Sequence, residues 1–213
     1  MNVIVGITDR AGFAANTDNL VLVRPSLRQM LWIPRDLWCP VFGDRINRAF
    51  GDGGHERLAA ALAEHGLEAG GSVVLSRDAT ESALAAVSVL VPVPVPMTFA
   101  YPLTPTAPIE DGSKTISFHP PAEVLRGERI HQWIGARGGS DLHRIERQKI
   151  LLRRLIEDRF SFRACLARPE WVRVSTPAAI DTLAEVDRTW RFETFGPTVP
   201  ETIGGKQVLV HRS

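Results

Sequence analysis

Asp141, Arg144 and Gln148 stand at i, i+3 and i+7 in the run Asp141-Leu142-His143-Arg144-Ile145-Glu146-Arg147-Gln148, with Arg137 four residues upstream. On a helix these three side chains share one face, and Arg147 borders it. The face offers a carboxylate, a planar guanidinium and an amide. Guanidinium forks take phosphate oxygens two at a time, so the set suits a phosphate or pyrophosphate. A solvated charged helix with internal i,i+4 pairs uses the same residue types.

Four earlier segments place polar residues where strands are expected to end. Gly6-Ile7-Thr8-Asp9-Arg10 closes the first, Thr17-Asp18-Asn19 opens the second, and Ile33-Pro34-Arg35-Asp36 closes the third. Arg45-Ile46-Asn47-Arg48-Ala49-Phe50-Gly51-Asp52-Gly53-Gly54 precedes the first helix. Ligands of open α/β sheets sit at such strand ends. Aspartates in loops also cap turns, and Arg35 has Asp36 and Asp44 nearby as ion-pair partners.

The elements that must position these residues follow from periodicity and turn chemistry. Short β-branched or apolar runs predict strands at Asn2–Ile7, Leu20–Val23, Met30–Ile33, Val73–Ser76, Thr115–Phe118, Trp171–Val174 and Gln207–His211. Val91–Pro96 alternates valine and proline and is expected at a sheet edge. Phe99–Asp111, with three prolines, reads as a loop, and Gly51–Gly54 as a turn lacking the Lys-Ser/Thr of a P-loop. Helices are expected at Glu56–His65, from Asp78 or Thr80 to Val87, and over Pro121–Trp133. A long helix should run from a Ser140 cap to Phe160, with Leu142, Ile145, Leu152 and Ile156 as its apolar face. Thr176-Pro177 starts the last helix, with Ile180, Leu183 and Ala184 inward. Interleaved helices and strands give an α/β class, a mixed central sheet flanked by helices, in a single domain over 1–213.

Bulk properties narrow the function. The 213 residues are 44% apolar and 23% charged, with a net charge of +1, and mean hydropathy is near zero. Such a charge gives little attraction to a nucleic-acid backbone. Residues 126–168 nevertheless hold 11 Lys and Arg against five acids, a local excess that suits an anionic ligand or a solvated helix surface. Cys39 and Cys165 form no metal-spacing motif; free thiols or one bridge both fit. The six histidines show no ligand spacing, and His143 beside the polar helical face is the one of interest. Trp32, Trp38, Trp133, Trp171 and Trp190 read as core residues. No apolar run reaches the roughly 18 residues of a membrane span. The start of the chain lacks a basic region and cleavage site. The expected location is cytoplasmic, or the extracellular face of the membrane if the chain is a truncated ectodomain.

In this order, the strand-end segments and the arginine-rich helix resemble the LytR-CpsA-Psr family. Its pattern runs G-x-D-x-R, R-x-D-T, I-P-R-D, K-I-N-x-A with a following Gly-Gly, then R-x-R, D-x-x-R and R-Q. The resemblance covers nearly the whole chain and is most specific in Ile33–Asp36 together with Asp141–Gln148. It implies a phosphotransferase that moves a glycopolymer from a polyprenyl pyrophosphate carrier, or releases phosphate from such a lipid. It also implies Mg2+ on the pyrophosphate, arginines gripping it, and an apolar tunnel within the sheet for the lipid.

Carried over to this sequence, Asp9 and Asp18 match the aspartates near the metal. Arg10, Arg35, Arg45, Arg137, Arg144, Arg147 and Gln148 match positions around the pyrophosphate, with Arg35 and Arg137 placed among the catalytic residues beside the aspartates. Asp141 and Asn47 match positions that orient those side chains. Phosphoryl transfer needs charge neutralisation and positioning above all, magnesium takes one or two carboxylates with phosphate oxygens and water, and either aspartate suits the proton of an attacking hydroxyl.

The chain also departs from the pattern. Ala15 and Asn16 stand where an arginine precedes the second aspartate, and Asn19 replaces the following threonine. Gly135 replaces the first arginine of R-x-R, Arg45 replaces a lysine, and Ala85–Val91 replaces a glycine-rich segment. The family's membrane anchor has no counterpart, so membrane contact is expected only through the lipid substrate. Two alternatives to transfer onto an acceptor hydroxyl therefore stand. One is a soluble tailoring enzyme that eliminates diphosphate from a shorter isoprenoid. The other is a non-catalytic lipid-phosphate binder.

Overall fold

The computed structural model describes residues 1–9, 12–103, 112–136, 141–158 and 169–212, with the side chains of Asp141 and Leu142 excepted. Arg10, Arg137, Ser140 and Cys165 lie outside the described residues. The chain forms two compact units, one from Met1–Thr80 with Arg163–Ser213, the other from Glu81–Phe162.

The first unit is built on a mixed six-stranded sheet in the order β11-β6-β1-β2-β3-β12. β1 (Val3–Thr8) lies antiparallel to β2 (Thr17–Arg24) and parallel to β6 (Gly71–Leu75). β3 (Gln29–Ile33) extends the sheet antiparallel to β2 and parallel to β12 (Arg191–Thr194). β11 (Val172–Val174) closes the other edge against β6. Near-continuous apolar runs such as Met30-Leu31-Trp32-Ile33 are buried on both faces, as expected of central strands covered on each side.

One core packs Ile4, Leu20, Leu22, Leu31, Ile33 and Val74 against Leu58, Ala61 and Leu62 of α1 (Ala49–Ala63). α1 is kinked at Gly53 and Gly54, where the expected turn falls; Gly54 takes φ 61°, open to glycine at no steric cost. α5 (Pro177–Ala184) begins with proline as expected, but its buried residues are Ala179 and Thr182. Ile180 and Leu183 are only partly buried and Ala184 is exposed, so the inward face is one position off the sequence expectation.

Two small ladders complete this unit. β4 (Trp38–Cys39) pairs with β5 (Asp44–Arg45), and β13 (Thr198–Ile203) pairs with β14 (Lys206–His211) around Gly204-Gly205. The sequence reading found β14 and missed β13 and β12, because Pro197, Pro200 and mixed polarity mask their alternation. Cys39 is a buried free thiol, and burial, with the Glu64 carboxylate adding, pushes its pKa up to about 12.

The boundary between the units falls within α2 (Arg77–Leu84). Its cap is Ser76, whose hydroxyl accepts the Ala79 N–H at 3.3 Å, rather than Asp78 or Thr80.

The second unit has two antiparallel ladders. β7 (Ser88–Pro92) pairs with β10 (Ala122–Arg126), and β8 (Met97–Pro102) with β9 (Ser113–Phe118). Two expectations are corrected here. Phe99–Pro102 is strand, because Phe99 and Tyr101 alternate inward at period two and Pro102 stands at the ladder's end. Ala122–Arg126 is strand, because Gly127 at φ 52° interrupts any helix and Leu125 alone of its residues is buried. Only Glu128–Gly135 is helical there, as α3.

α4 (Asp141–Glu157) is the long helix. Its buried residues are Arg144, Ile145, Arg147, Gln148, Leu151 and Leu155. Leu152 and Ile156, expected inside, are only partly buried. The inward face is thus polar in its first half and apolar in its second. The apolar half joins Val89, Val91, Phe99, Phe118, Leu125, Ile130 and Trp133 in the unit's core. No helix among the described residues is long and apolar enough to cross a membrane.

Candidate functional site

The first unit gathers Asp9, Asn16, Asp18, Arg35, Asp36, Arg45 and Asn47 by a specific backbone device. Ile7 pairs with Asn19, yet Thr8 pairs with Thr17, so Asp18 has no residue opposite it. A bulge of this kind bends the strand and re-aims its side chains. Just beyond it the Asp9 N–H donates to Asn16 O at 2.8 Å, and Asn16 Nδ2 reaches Asp9 Oδ2 at 3.4 Å. Both aspartates therefore lie at one end of the β1–β2 hairpin.

Arg35 arrives from the end of β3. Its Nη1 donates to Asp18 Oδ1 at 2.5 Å, and its Nε lies 3.7 Å from Asp36 Oδ2. Its carbonyl accepts the Asn47 N–H at 3.2 Å, and the Asn47 carbonyl accepts the Thr17 hydroxyl at 3.2 Å. Asn47 thus ties Arg35 to the bulged strand. The Asn47 side chain is buried, and its Oδ1 has no hydrogen-bond partner among the described residues. An orphaned buried acceptor costs free energy unless something donates to it or it ligates a cation.

Arg45 sits one step further out. Its Nη1 lies 3.3 Å from Asp36 Oδ1, and its Nη2 donates to Gln207 O at 2.6 Å. Arg77, which the sequence reading did not single out, enters from the end of β6: its Nη1 donates to Asp9 O at 3.2 Å and its N–H to the Thr8 hydroxyl at 3.1 Å. β1 and β6 are parallel and end together, the place where such sheets present ligands. That adjacency is set by a crossover, so local sequence carried no sign of it.

The second unit holds Arg144, Arg147 and Gln148 on the buried face of α4. Arg147 is engaged with its own chain. Its Nε donates to Trp133 O at 2.8 Å, its Nη2 to Ala136 O at 2.6 Å and its Nη1 to His143 O at 3.5 Å. The guanidinium also lies 4.6 Å from the Phe99 ring centre. Burial, with the charge of Arg144 adding, lowers its pKa to about 10, so it remains charged at neutral pH. Two guanidiniums therefore press on each other within a buried helical face, where an anion is electrostatically welcome.

Among the described residues no three His, Cys, Asp or Glu side chains cluster as a metal cage. Asp9, Asp18 and the orphaned Asn47 Oδ1 are all hard oxygen donors. That set fits magnesium, which keeps waters and shares phosphate oxygens instead of needing a full protein cage.

No family model matches this sequence, and no curated protein matches it. Solved structures do. TagV of B. subtilis superposes with a TM-score of 0.66 at 16% identity, over 100% of this chain and 91% of its own. TagT bound to LI-WTA gives 0.70 at 18%, over 99% and 83%. A putative transcriptional regulator of Bacillus subtilis, ywtF, gives 0.68 at 19%, over 99% and 83%. At these identities the likeness is one of fold, and the fold of this chain is LytR-CpsA-Psr-like.

Proposed function

We propose that this protein is a magnesium-assisted phosphotransferase or pyrophosphatase acting on an isoprenoid or polyprenyl pyrophosphate. The observation that carries the reading is Asp18, set apart by a β-bulge and held by Arg35 at 2.5 Å beside Asp9. Within the second unit, α4 separately buries Arg144 and Gln148, residue types suited to phosphate oxygens. The fold shared with TagT, a protein solved with LI-WTA bound, supports the substrate class.

In this account a hydroxyl, from an acceptor or from water, attacks phosphorus and the bridging P–O bond breaks. The leaving prenyl monophosphate carries charge that Arg35 neutralises. Asp9 or Asp18 accepts the proton of the attacking hydroxyl. Magnesium would be held by Asp9, Asp18 and Asn47 and would withdraw charge from the phosphate oxygens. Arg10 and Arg137 are assigned to the pyrophosphate on sequence grounds, and Asp141 to orienting Arg144.

The non-catalytic alternative is favoured by Gly135, which puts no cation where the related pattern has one. Calorimetric titration with a prenyl methylenediphosphonate, with and without magnesium, tests the ligand class for enzyme and binder alike. Arg35→Ala and Arg144→Ala should each weaken binding roughly tenfold or more, the loss of one charge-assisted hydrogen bond. Absence of binding, or affinity indifferent to both substitutions, would refute the reading.

A further inference from the structure

Arg45 and Asp36 form the outer half of a chain of alternating charge. Asp18 pairs with Arg35 at 2.5 Å, Arg35 with Asp36 at 3.7 Å, and Asp36 with Arg45 at 3.3 Å. The chain ends on backbone, where Arg45 Nη2 donates to Gln207 O of β14 at 2.6 Å. Asp36 is held from the same strand, since its carbonyl accepts the Leu209 N–H at 2.8 Å, and Leu37 bridges Leu209 in parallel. Lys206, the first residue of β14, adds a 2.8 Å bond to Asp44 beside Arg45.

Arg35 stands between two carboxylates. Its guanidinium is drawn toward Asp18 on one side and Asp36 on the other. Arg45 holds the Asp36 carboxylate in place, and Asp36 in turn braces Arg35 Nε so that Nη1 faces Asp18. The geometry points to Arg45 and Asp36 as positioning residues that aim Arg35, with the strand near the end of the described chain as their anchor. This reassigns Arg45 from pyrophosphate ligand to holder, and it rests on the reading of Arg35 as a phosphate-binding group.

The arrangement makes β14 part of the site's machinery, through its backbone bonds to Arg45 and Asp36. Without Arg45 the Asp36 carboxylate loses its outer anchor, and Arg35 loses the brace that keeps Nη1 on Asp18. Lysine at position 45 keeps the charge on Asp36 but has one nitrogen in place of the guanidinium fork that reaches both Asp36 and Gln207 O, so it restores the effect in part.

The test reads Arg35 directly. Guanidinium nitrogen NMR of the full chain, with the Arg35 signal assigned from Arg35→Lys, reports whether rotation about its Cζ–Nε bond is hindered. Hindered rotation is expected in the parent protein, free rotation in Arg45→Ala and Asp36→Asn, and intermediate behaviour in Arg45→Lys. Melting temperatures confirm that each variant is folded, and Asp36→Asn serves if Arg45→Ala is not. Unchanged Arg35 dynamics in a folded Arg45→Ala or Asp36→Asn protein overturns the inference. On a prenyl pyrophosphate, Arg45→Ala should lower kcat about tenfold with KM within about twofold, the signature of a misaimed charge. A parent protein inert toward that substrate would count against the functional reading alone, because the NMR result needs no turnover.

Discussion

Trp133 and Arg147 bond each other in both directions: the indole N–H donates to Arg147 O at 2.9 Å, and Arg147 Nε donates to Trp133 O at 2.8 Å. The C-terminal end of α3 would otherwise leave carbonyls without donors. Arg147 supplies them, reaching Ala136 O as well, and in doing so docks α4 on α3. Arg147→Ala strands several buried carbonyls and should lower stability by about 2–5 kcal/mol in urea unfolding. Arg147→Lys should recover less than half, since one ammonium cannot span two carbonyls. Full recovery by lysine would contradict the clamp.

Gly51 marks a close approach behind the candidate site. A Cβ there would stand 2.9 Å from Ala15 O, a backbone atom that cannot simply rotate aside. Gly51→Ala should therefore push on the segment leading into Asn16 and Asp18 and cost about 1–3 kcal/mol. Affinity for the diphosphonate should fall with it. A variant with unchanged melting temperature and unchanged affinity would show that the segment yields freely.

Two histidines predict an acid limb in stability. Burial lowers the pKa of His55, which is hydrogen-bonded to the Ser72 hydroxyl and set edge-on to Phe50. Burial also lowers that of His65; neighbouring His211 adds to the shift, while Glu64 and a bond with the Trp38 backbone oppose it. The folded state therefore binds protons less readily than the unfolded chain near the ordinary value of 6.5. Their contribution is complete above that pH and is lost as pH falls through the depressed folded values. Melting curves at pH 7.5 and pH 5 (about one unit above and about one and a half units below the ordinary value) should separate less in a His55→Gln, His65→Gln double variant than in the parent. Equal separation would remove these groups from the acid limb.

Much of the site was legible from residue types near strand ends, for Asp9, Asp18 and Arg35 each follow or precede a short β-branched run. The helical spacing of Arg144 and Gln148 likewise survived intact, because i to i+4 on a helix fixes a common face. The bulge at Asp18 was not legible, since it exists only in the register between β1 and β2. Nor was the engagement of Arg147 and Arg45, whose partners are carbonyls of α3 and β14. Helix was expected across Ala122–Arg126 because local propensity there is weak and pairing with β7 decides it.

The most direct measurement is turnover. Pure protein is incubated with prenyl pyrophosphates of several lengths, with and without magnesium, and products are followed by mass spectrometry. Asp9→Asn, Asp18→Asn and Arg35→Ala are run in parallel. The account predicts magnesium-dependent conversion to the prenyl monophosphate, reduced at least roughly 100-fold in each variant, the scale on which lost proton acceptors and charge-stabilising groups act. Lipid recovered intact at every chain length, or conversion that survives all three substitutions, would contradict it.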